Sequence, residues 1–302
     1  AGVGIVATGT TTSTITGSIS VGDSNSIKSA IGIVADNGAN ITLAGTTTIT
    51  AGNGGIGVYA EGAGTIVTVS NTGNITVGTD GIYMYSKDAT LNFTGNITAN
   101  NQIGIVADGG TINAMGASTI TVQNGGIGAY VKNAAPAFGT TTIAVQGGNA
   151  SKYSMGVYYD GVSSIGTAPT ITQTGSYTIG MVLNNSIGTT AGGISIGGAG
   201  ITNQVGVMAK GNSNLTVAGT VTVSGGNNNI GVYGENSIIT ANNNITVAAP
   251  SSSDPLDPMK YSSIGIYMNK GSYIGTGNVS VGNNSIGIYG KDLNGGSISQ
   301  TG

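Results

Sequence analysis

One short phrase recurs along this chain of 302 residues and constrains its fold more than anything else. It reads "IGIVAD" at 31–36, "IGVYAE" at 56–61, "IGIVAD" at 103–108 and "IGIYGK" at 286–291. Aligned on its glycine, the phrase falls at Gly4, Gly32, Gly57, Gly81, Gly104, Gly128, Gly156, Gly180, Gly206, Gly231, Gly265 and Gly287, with spacings of 22 to 34 residues that average about 26. A period of that size marks a stacked-repeat architecture in which each unit buries its apolar face only against its neighbours.

Each unit reads as three short β runs divided by Gly/Asn corners, as in "IGIVA", "TINAMG" and "STITV" across 103–122. Gly and Asn accept the positive φ of sharp corners, while Thr, Ile and Val suit pleated segments. No unit has helical periodicity. The fold class this predicts is all-β: a parallel β-helix of about twelve coils, three short strands per coil, period about 24–26 residues, taken as right-handed because coils of this length and three-sided pattern usually are, the hand itself not being readable from the sequence. At the ~4.8 Å spacing of paired strands, twelve coils make a rod of roughly 55–60 Å. A propeller, with ~40–45 residues per blade, fits the period poorly. Residues 1–302 are expected to be one continuous β-helix, an internal piece of a longer rod, because neither end carries a polar cap and no signal peptide opens the chain.

Strict alternation assigns faces within the phrase: Ile31, Ile33 and Ala35 to the core, and Gly32, Val34 and Asp36 to solvent. The outward charged position recurs as Glu61, Asp108, Lys132, Asp160, Lys210, Glu235 and Lys291. On this reading the glycine faces outward beside Tyr59, Tyr83, Tyr130, Tyr158, Tyr233, Tyr267 and Tyr289, or beside Val or Met in other copies. A ring lying over bare glycine backbone supplies a structural reason for the pairing. A functional alternative is an aromatic stripe that stacks on sugar rings or docks a protein. One copy is irregular, with Asp80 in place of the inward Ile.

Composition removes whole classes of chemistry. Cys and His are absent, and the eight basic residues are all lysine, scattered singly. Without them there is no disulfide framework, no ordinary zinc site and no histidine acid/base machinery. A net charge of −3 with no basic cluster gives no electrostatic footprint for nucleic acid. No apolar run approaches the ~18 residues of a spanning helix. Asp36 and Glu61, one coil apart, invite a test as paired glycosidase carboxylates, but each ends a strand as a solvated charge with no Arg or His beside it. The chain is therefore expected to be no enzyme, with no catalytic residues, cofactor or metal. The recurring Asn-x-Thr triplets, such as Asn74-Ile75-Thr76 and Asn244-Ile245-Thr246, read as corners entering strands.

The longest spacing contains "AAPSSSDPLDPMKYSS" at 248–263, with three of the five prolines. Proline cannot donate to a ladder, so this stretch must leave the stack as a loop. Its Asp254, Asp257, Met259, Lys260 and Tyr261 are the best localised candidates for ligand contact, together with Tyr233, Tyr267 and Tyr289 of the stripe. Smaller excursions are expected at 132–139 and 149–156.

The phrases "NNSIGIYGKDL", "SSIGIYMNKGS", "TGNITVGTDGIYMYSKD" and "NNQIGIVADGG" resemble the passenger regions of the very large type V, monomeric autotransporter adhesins of fusobacteria. The resemblance extends over essentially the whole chain. It implies a monomeric rod displayed at the cell surface, held to the outer membrane by a C-terminal barrel outside this sequence, and attached to a receptor or glycan on host cells or other bacteria. Two further readings stand beside adhesion: a purely structural shaft whose binding site lies elsewhere in the parent chain, and a β-helical enzyme acting on polysaccharide.

Overall fold

The computed structural model describes residues 2–25, 29–166, 168–254, 256–257, 260–293 and 295–301. The fold is a β-solenoid of about twelve coils, and the strands described pair with one another in parallel. Two compact units divide the chain, Ala1–Ile143 and Ala144–Gly302.

In the first unit the recurring phrase forms the first strand of each coil: Val3–Thr8, Ile31–Asp36, Ile56–Glu61, Ile82–Lys87, Ile103–Asp108 and Ile127–Lys132. These stack in register, so that Ile33 pairs Ile5 and Val58, and Ala35 pairs Ala7 and Ala60. A second sheet runs through Thr12–Ile15, Asn40–Leu43, Ile66–Val69, Thr90–Phe93, Thr111–Ala114 and Ala135–Ala137. Shorter third strands, among them Thr48–Ala51, Ile75–Val77 and Ile97–Asn100, complete the coils. The core is built of columns: Ile33, Val58, Met84, Ile105 and Ala129 on the first sheet and Ile41, Val67, Leu91 and Ile112 on the second, all fully buried. Like residues stack because each coil offers its neighbour the same inward position one strand spacing away.

The corners are built as the sequence suggests. Asn37, Asn101, Asn124 and Asn133 hold positive φ, where a short amide side chain tolerates the left-handed region. The Asn-x-Thr asparagines bridge successive corners: Asn74 Nδ2 donates to the Gly45 carbonyl at 2.7 Å, and Asn96 Oδ1 accepts from the Thr119 amide at 3.0 Å.

Three expectations are corrected here. The motif glycine does not face solvent. Along Ile31–Asp36 both Gly32 and Ile33 are buried while Ile31 is half-buried, and two successive inward residues require the strand to kink between them. A Cβ on Gly32 would stand 2.5 Å from the Gly57 carbonyl oxygen and 2.5 Å from Ile49 Cγ2. The glycine therefore recurs because adjacent coils and the third strand close on its α-carbon, and it provides no outward shelf for a ring.

The second correction concerns the irregular copy. Ile82 pairs Ile56 and Tyr85 pairs Tyr59, so Tyr83 occupies the glycine position and Asp80 belongs to the preceding corner, at positive φ. The buried Tyr83 donates its hydroxyl to the Thr98 carbonyl at 2.7 Å. No buried carboxylate replaces a core isoleucine.

Third, 132–139 is not an excursion. Ala135–Ala137 is a strand registered on Thr111–Ala114, with Pro136 opposite Ile112. It ends the second sheet, where a residue without an N–H costs no ladder bond. Of 149–156, residues 149–153 leave the stack through an antiparallel bridge between Asn149 and Lys152, while Ser154 and Met155 are already in register with Thr178 and Ile179 of the next coil.

In the second unit the first strands are Ser154–Asp160, Thr178–Asn184, Gln204–Lys210, Ile230–Ala241, Ile264–Gly275 and Ile286–Lys291. Ile230–Ala241 and Ile264–Gly275 run on through the corner into the second sheet, giving the longest register among the described residues, from Ile230 opposite Ile264 to Ala241 opposite Gly275. The core column Val157, Met181, Val207, Val232 and Ile266 is buried throughout. Beside it Gly234 lies opposite Met268, whose Sδ would be 2.5 Å from a Cβ there. The methionine fills the volume that the glycine leaves.

Candidate functional site

Kinking the strand at glycine leaves one residue between two inward ones that is Val, Met or Tyr in each coil, outward in most and buried at Val106 and Val182. In the first unit the column runs Val6, Val34, Tyr59, Tyr85, Val106, Tyr130. In the second it runs Tyr158, Val182, Met208, Tyr233, Tyr267, Tyr289. The structure thus brings together three of the candidate residues. Tyr233 and Tyr267 stack with centroids 5.2 Å apart and planes at 15°, and Tyr267 and Tyr289 at 5.1 Å and 32°. Tyr59 and Tyr85 repeat the arrangement at 5.2 Å and 25°.

This geometry changes what the stripe can do. Each ring covers the face of the next, so a sugar ring does not find a row of open π-faces. What the column presents to solvent is ring edges and phenol groups at one strand spacing. Tyr289, 39% exposed, is the most open of the three. Burial raises the Tyr267 phenol above its ordinary value, opposed by the charge of Lys291, so this phenol stays a neutral donor and acceptor at physiological pH.

Two residues beyond each member of that column lies a polar ladder. In the first unit it reads Asp36, Glu61, Lys87, Asp108, Lys132, and in the second Asp160, Asn184, Lys210, Glu235, Asn269, Lys291. Lys87 Nζ lies 2.7 Å from Glu61 Oε1, and Lys132 Nζ 3.5 Å from Asp108 Oδ2. The Tyr59 hydroxyl donates to Glu61 Oε2 at 2.8 Å. These bonds from Lys87 and Tyr59 hold the Glu61 carboxyl below its ordinary range, while burial and the same carboxylate raise the Tyr59 phenol. Asn184 Nδ2 donates to Asp160 Oδ1 at 2.8 Å, and Lys210 Nζ sits 5.4 Å above the Tyr158 ring. Asp36 and Glu61 are neighbours in register, as their spacing suggests, but Glu61 is occupied by a lysine and a phenol. Lys87 escaped the sequence reading because the glycine alignment at 81 displaced that coil by two residues.

The loop candidates form a second cluster. No strand lies between Ile245–Val247 and Ile264–Gly275 among the described residues. The loop is pinned at its base, where Ser252 donates its amide to Asn227 Oδ1 at 3.0 Å and Asn227 Nδ2 donates to Ser252 Oγ at 3.1 Å. Toward its tip, Lys260 Nζ pairs with Asp254 Oδ2 at 3.1 Å and lies 5.4 Å from the Tyr261 ring. The Asp257 amide donates to the Asp254 carbonyl at 3.2 Å. The Leu256 amide and Lys260 together hold the Asp254 carboxyl below its usual range. Leu256, 96% exposed, is the most open large apolar side chain among the described residues. Met259 lies outside the described residues.

Among the described residues no three His, Cys, Asp or Glu side chains are grouped to hold a metal, and no helix is long and apolar enough to cross a membrane. The architecture and these two clusters define a β-solenoid with a repeating tyrosine and polar face. No protein-family model matches the chain, and no curated protein matches it.

Proposed function

We propose that this chain is a segment of a bacterial cell-surface adhesin, the β-helical part of an autotransporter passenger exported by type V secretion, which attaches its cell to a glycan or protein receptor on host cells or other bacteria. The observation that carries the reading is the in-register column of Tyr233, Tyr267 and Tyr289 beside Lys210, Glu235, Asn269 and Lys291. It presents a phenol beside a polar or charged side chain in successive coils, which suits many weak contacts acting together. Attachment through such a face needs no deep pocket and no covalent chemistry. The passenger resemblance of the repeated phrase supports the same assignment.

A purely structural shaft is the second reading, and the first unit favours it. There the ladder is closed on itself, with Glu61 held by Lys87 and Tyr59, and Asp108 by Lys132. Such internal pairing fixes coil register more readily than it recruits a partner.

The experiment is binding of the folded chain to a glycan array and to intact host and bacterial cells. Saturable binding competed by a defined sugar or receptor, and lost on replacing Tyr233, Tyr267 and Tyr289 by Ser with the β-structure retained, establishes the adhesin reading. No binding by a chain of confirmed β-structure assigns it to the shaft.

A further inference from the structure

The second unit contains one coil that breaks the rules of its neighbours. Its first strand, Ser154–Asp160, is followed by no second strand among the described residues before Thr170–Gln173. In the next coil Ile194 and Ile196 fill the inward positions of the third strand and are 7% and 3% exposed. The corresponding Ile171 and Gln173 are half-exposed. A glutamine thus stands in a column otherwise built of apolar residues such as Ala99, Val122 and Val145, a local violation of the pattern that stabilises the rest of the stack. Such violations concentrate at functional sites.

The consequence is a cleft of about 150 Å³ that opens between Pro169–Thr170 and Ala191–Gly193 and reaches the core side of the first strands. Its floor is Met181, Val207 and Ile194, and its rim carries Thr170, Gln173 and Ser195. The rim is preorganised. Gln173 Nε2 donates to Thr178 Oγ1 at 2.9 Å and to the Val205 carbonyl at 3.1 Å, which fixes the amide plane. At the far wall the Thr190 hydroxyl, donating to the Gly192 carbonyl at 2.5 Å and accepting from the Ala218 amide at 3.0 Å, holds the turn Ala191–Gly193 open. A Cβ on Gly192 would meet nothing within 4 Å, so this wall borders free space.

We infer that this cleft is a binding site for one neutral sugar ring. Three features select that chemistry. No lining residue is ionisable, and an ionic ligand would be desolvated there without a counter-charge. The volume is well below the ~300–1,000 Å³ of sites for drug-sized molecules, which limits the occupant to a single ring. An apolar floor under a rim of hydroxyl, amide and backbone groups matches a pyranose, whose C–H face is apolar and whose edge is hydroxylated. The inference goes beyond the adhesion reading and stands apart from it: no tyrosine of the column lines the cleft, and its occupancy is measurable with soluble sugars whether or not the chain attaches to cells.

The test is saturation-transfer NMR of the full chain against glucose, galactose, mannose, fucose, N-acetylglucosamine and N-acetylgalactosamine, with p-cresol as a probe for a protein's aromatic side chain. The expected result is saturable, millimolar binding of at least one sugar, weakened at least tenfold by Ala191→Trp at the mouth and by Gln173→Val on the rim, with unchanged far-UV circular dichroism in both variants. Gln173→Val restores the apolar column and so is not expected to unfold the chain. Transfer to none of the sugars, sugar binding indifferent to both substitutions, or saturable binding of p-cresol in place of every sugar each overturns the inference.

Discussion

Replacing Gly32 by alanine is the sharpest test of why one glycine recurs in almost every coil. The new Cβ would lie 2.5 Å from the Gly57 carbonyl oxygen and 2.5 Å from Ile49 Cγ2, where ordinary contact begins at 3.4 Å. Coil and side chain must therefore part by about 0.9 Å. Neither gives easily, since the oxygen belongs to the backbone of the next coil and Ile49 is 1% exposed in the core. Overpacking of this kind costs about 1–3 kcal/mol. Gly32 has no positive φ, so alanine also gains about 0.4–1 kcal/mol by restricting the unfolded chain, and the net expected loss is roughly 1–2 kcal/mol.

Gly45→Ala is the control, because a Cβ there meets nothing within 4 Å and φ is again permissive. Only the entropic term remains, and this variant should gain about 0.4–1 kcal/mol. The same chemical change is thus expected to move stability in opposite directions at two positions thirteen residues apart. Thermal and urea unfolding followed by circular dichroism measure the sign. Amide exchange at Ile33 and Val58 then shows whether the loss is local, as a stack of nearest-neighbour interfaces requires. A Gly32→Ala chain as stable as the parent, or two variants shifted the same way, would refute the close-approach explanation.

Other outcomes follow from the same packing. Tyr159 is fully buried and its hydroxyl has no hydrogen-bond partner among the described residues, so Tyr159→Phe should raise stability by about 1 kcal/mol in equilibrium unfolding, and a loss would reveal a partner for that hydroxyl. Glu61 has its folded pKa lowered from 4.5 by Lys87 and Tyr59. Its stabilising contribution is therefore present above pH 4.5 and disappears as pH falls through the lowered value; carbon-detected NMR titration should show Glu61 returning toward 4.5 in Lys87→Met. Burial pushes the Tyr273 phenol from 10.0 up to about 12, so stability it contributes below pH 10 is lost between those values, and ultraviolet titration should resolve a late phenolate that Tyr273→Phe removes. Deleting 250–261 should leave the β-structure intact, because the strands on either side stop at Val247 and resume at Ile264, and unchanged cell binding by that variant would remove Asp254, Asp257, Lys260 and Tyr261 as ligand contacts.

Much of this protein was legible in its sequence. Periodicity of about two dozen residues, Asn and Gly at the corners, and alternating apolar residues within short runs are local properties, and they specified stacked parallel coils, the core columns and the loop at 248–263. The tyrosine column was legible too, since an outward position repeats wherever the strand does. Where alternation misassigned a residue, as at Gly32 and across 80–87, or was silent, the answer was decided between coils. Whether Gly32 faces in or out depends on the approach of Gly57 and Ile49, which belong to the next coil and to another strand. The alignment of 80–87 depended on ladder register, because "DGIYMYSK" offers a glycine two residues before the position that the hydrogen bonds choose. The Glu61–Lys87 pair and the cleft beside Gln173 exist only once neighbouring coils are stacked. Alternation within a strand is fixed by the chirality and pleat of the backbone, so sequence reports it directly; contact across coils is fixed by register and close packing, which only the tertiary structure selects.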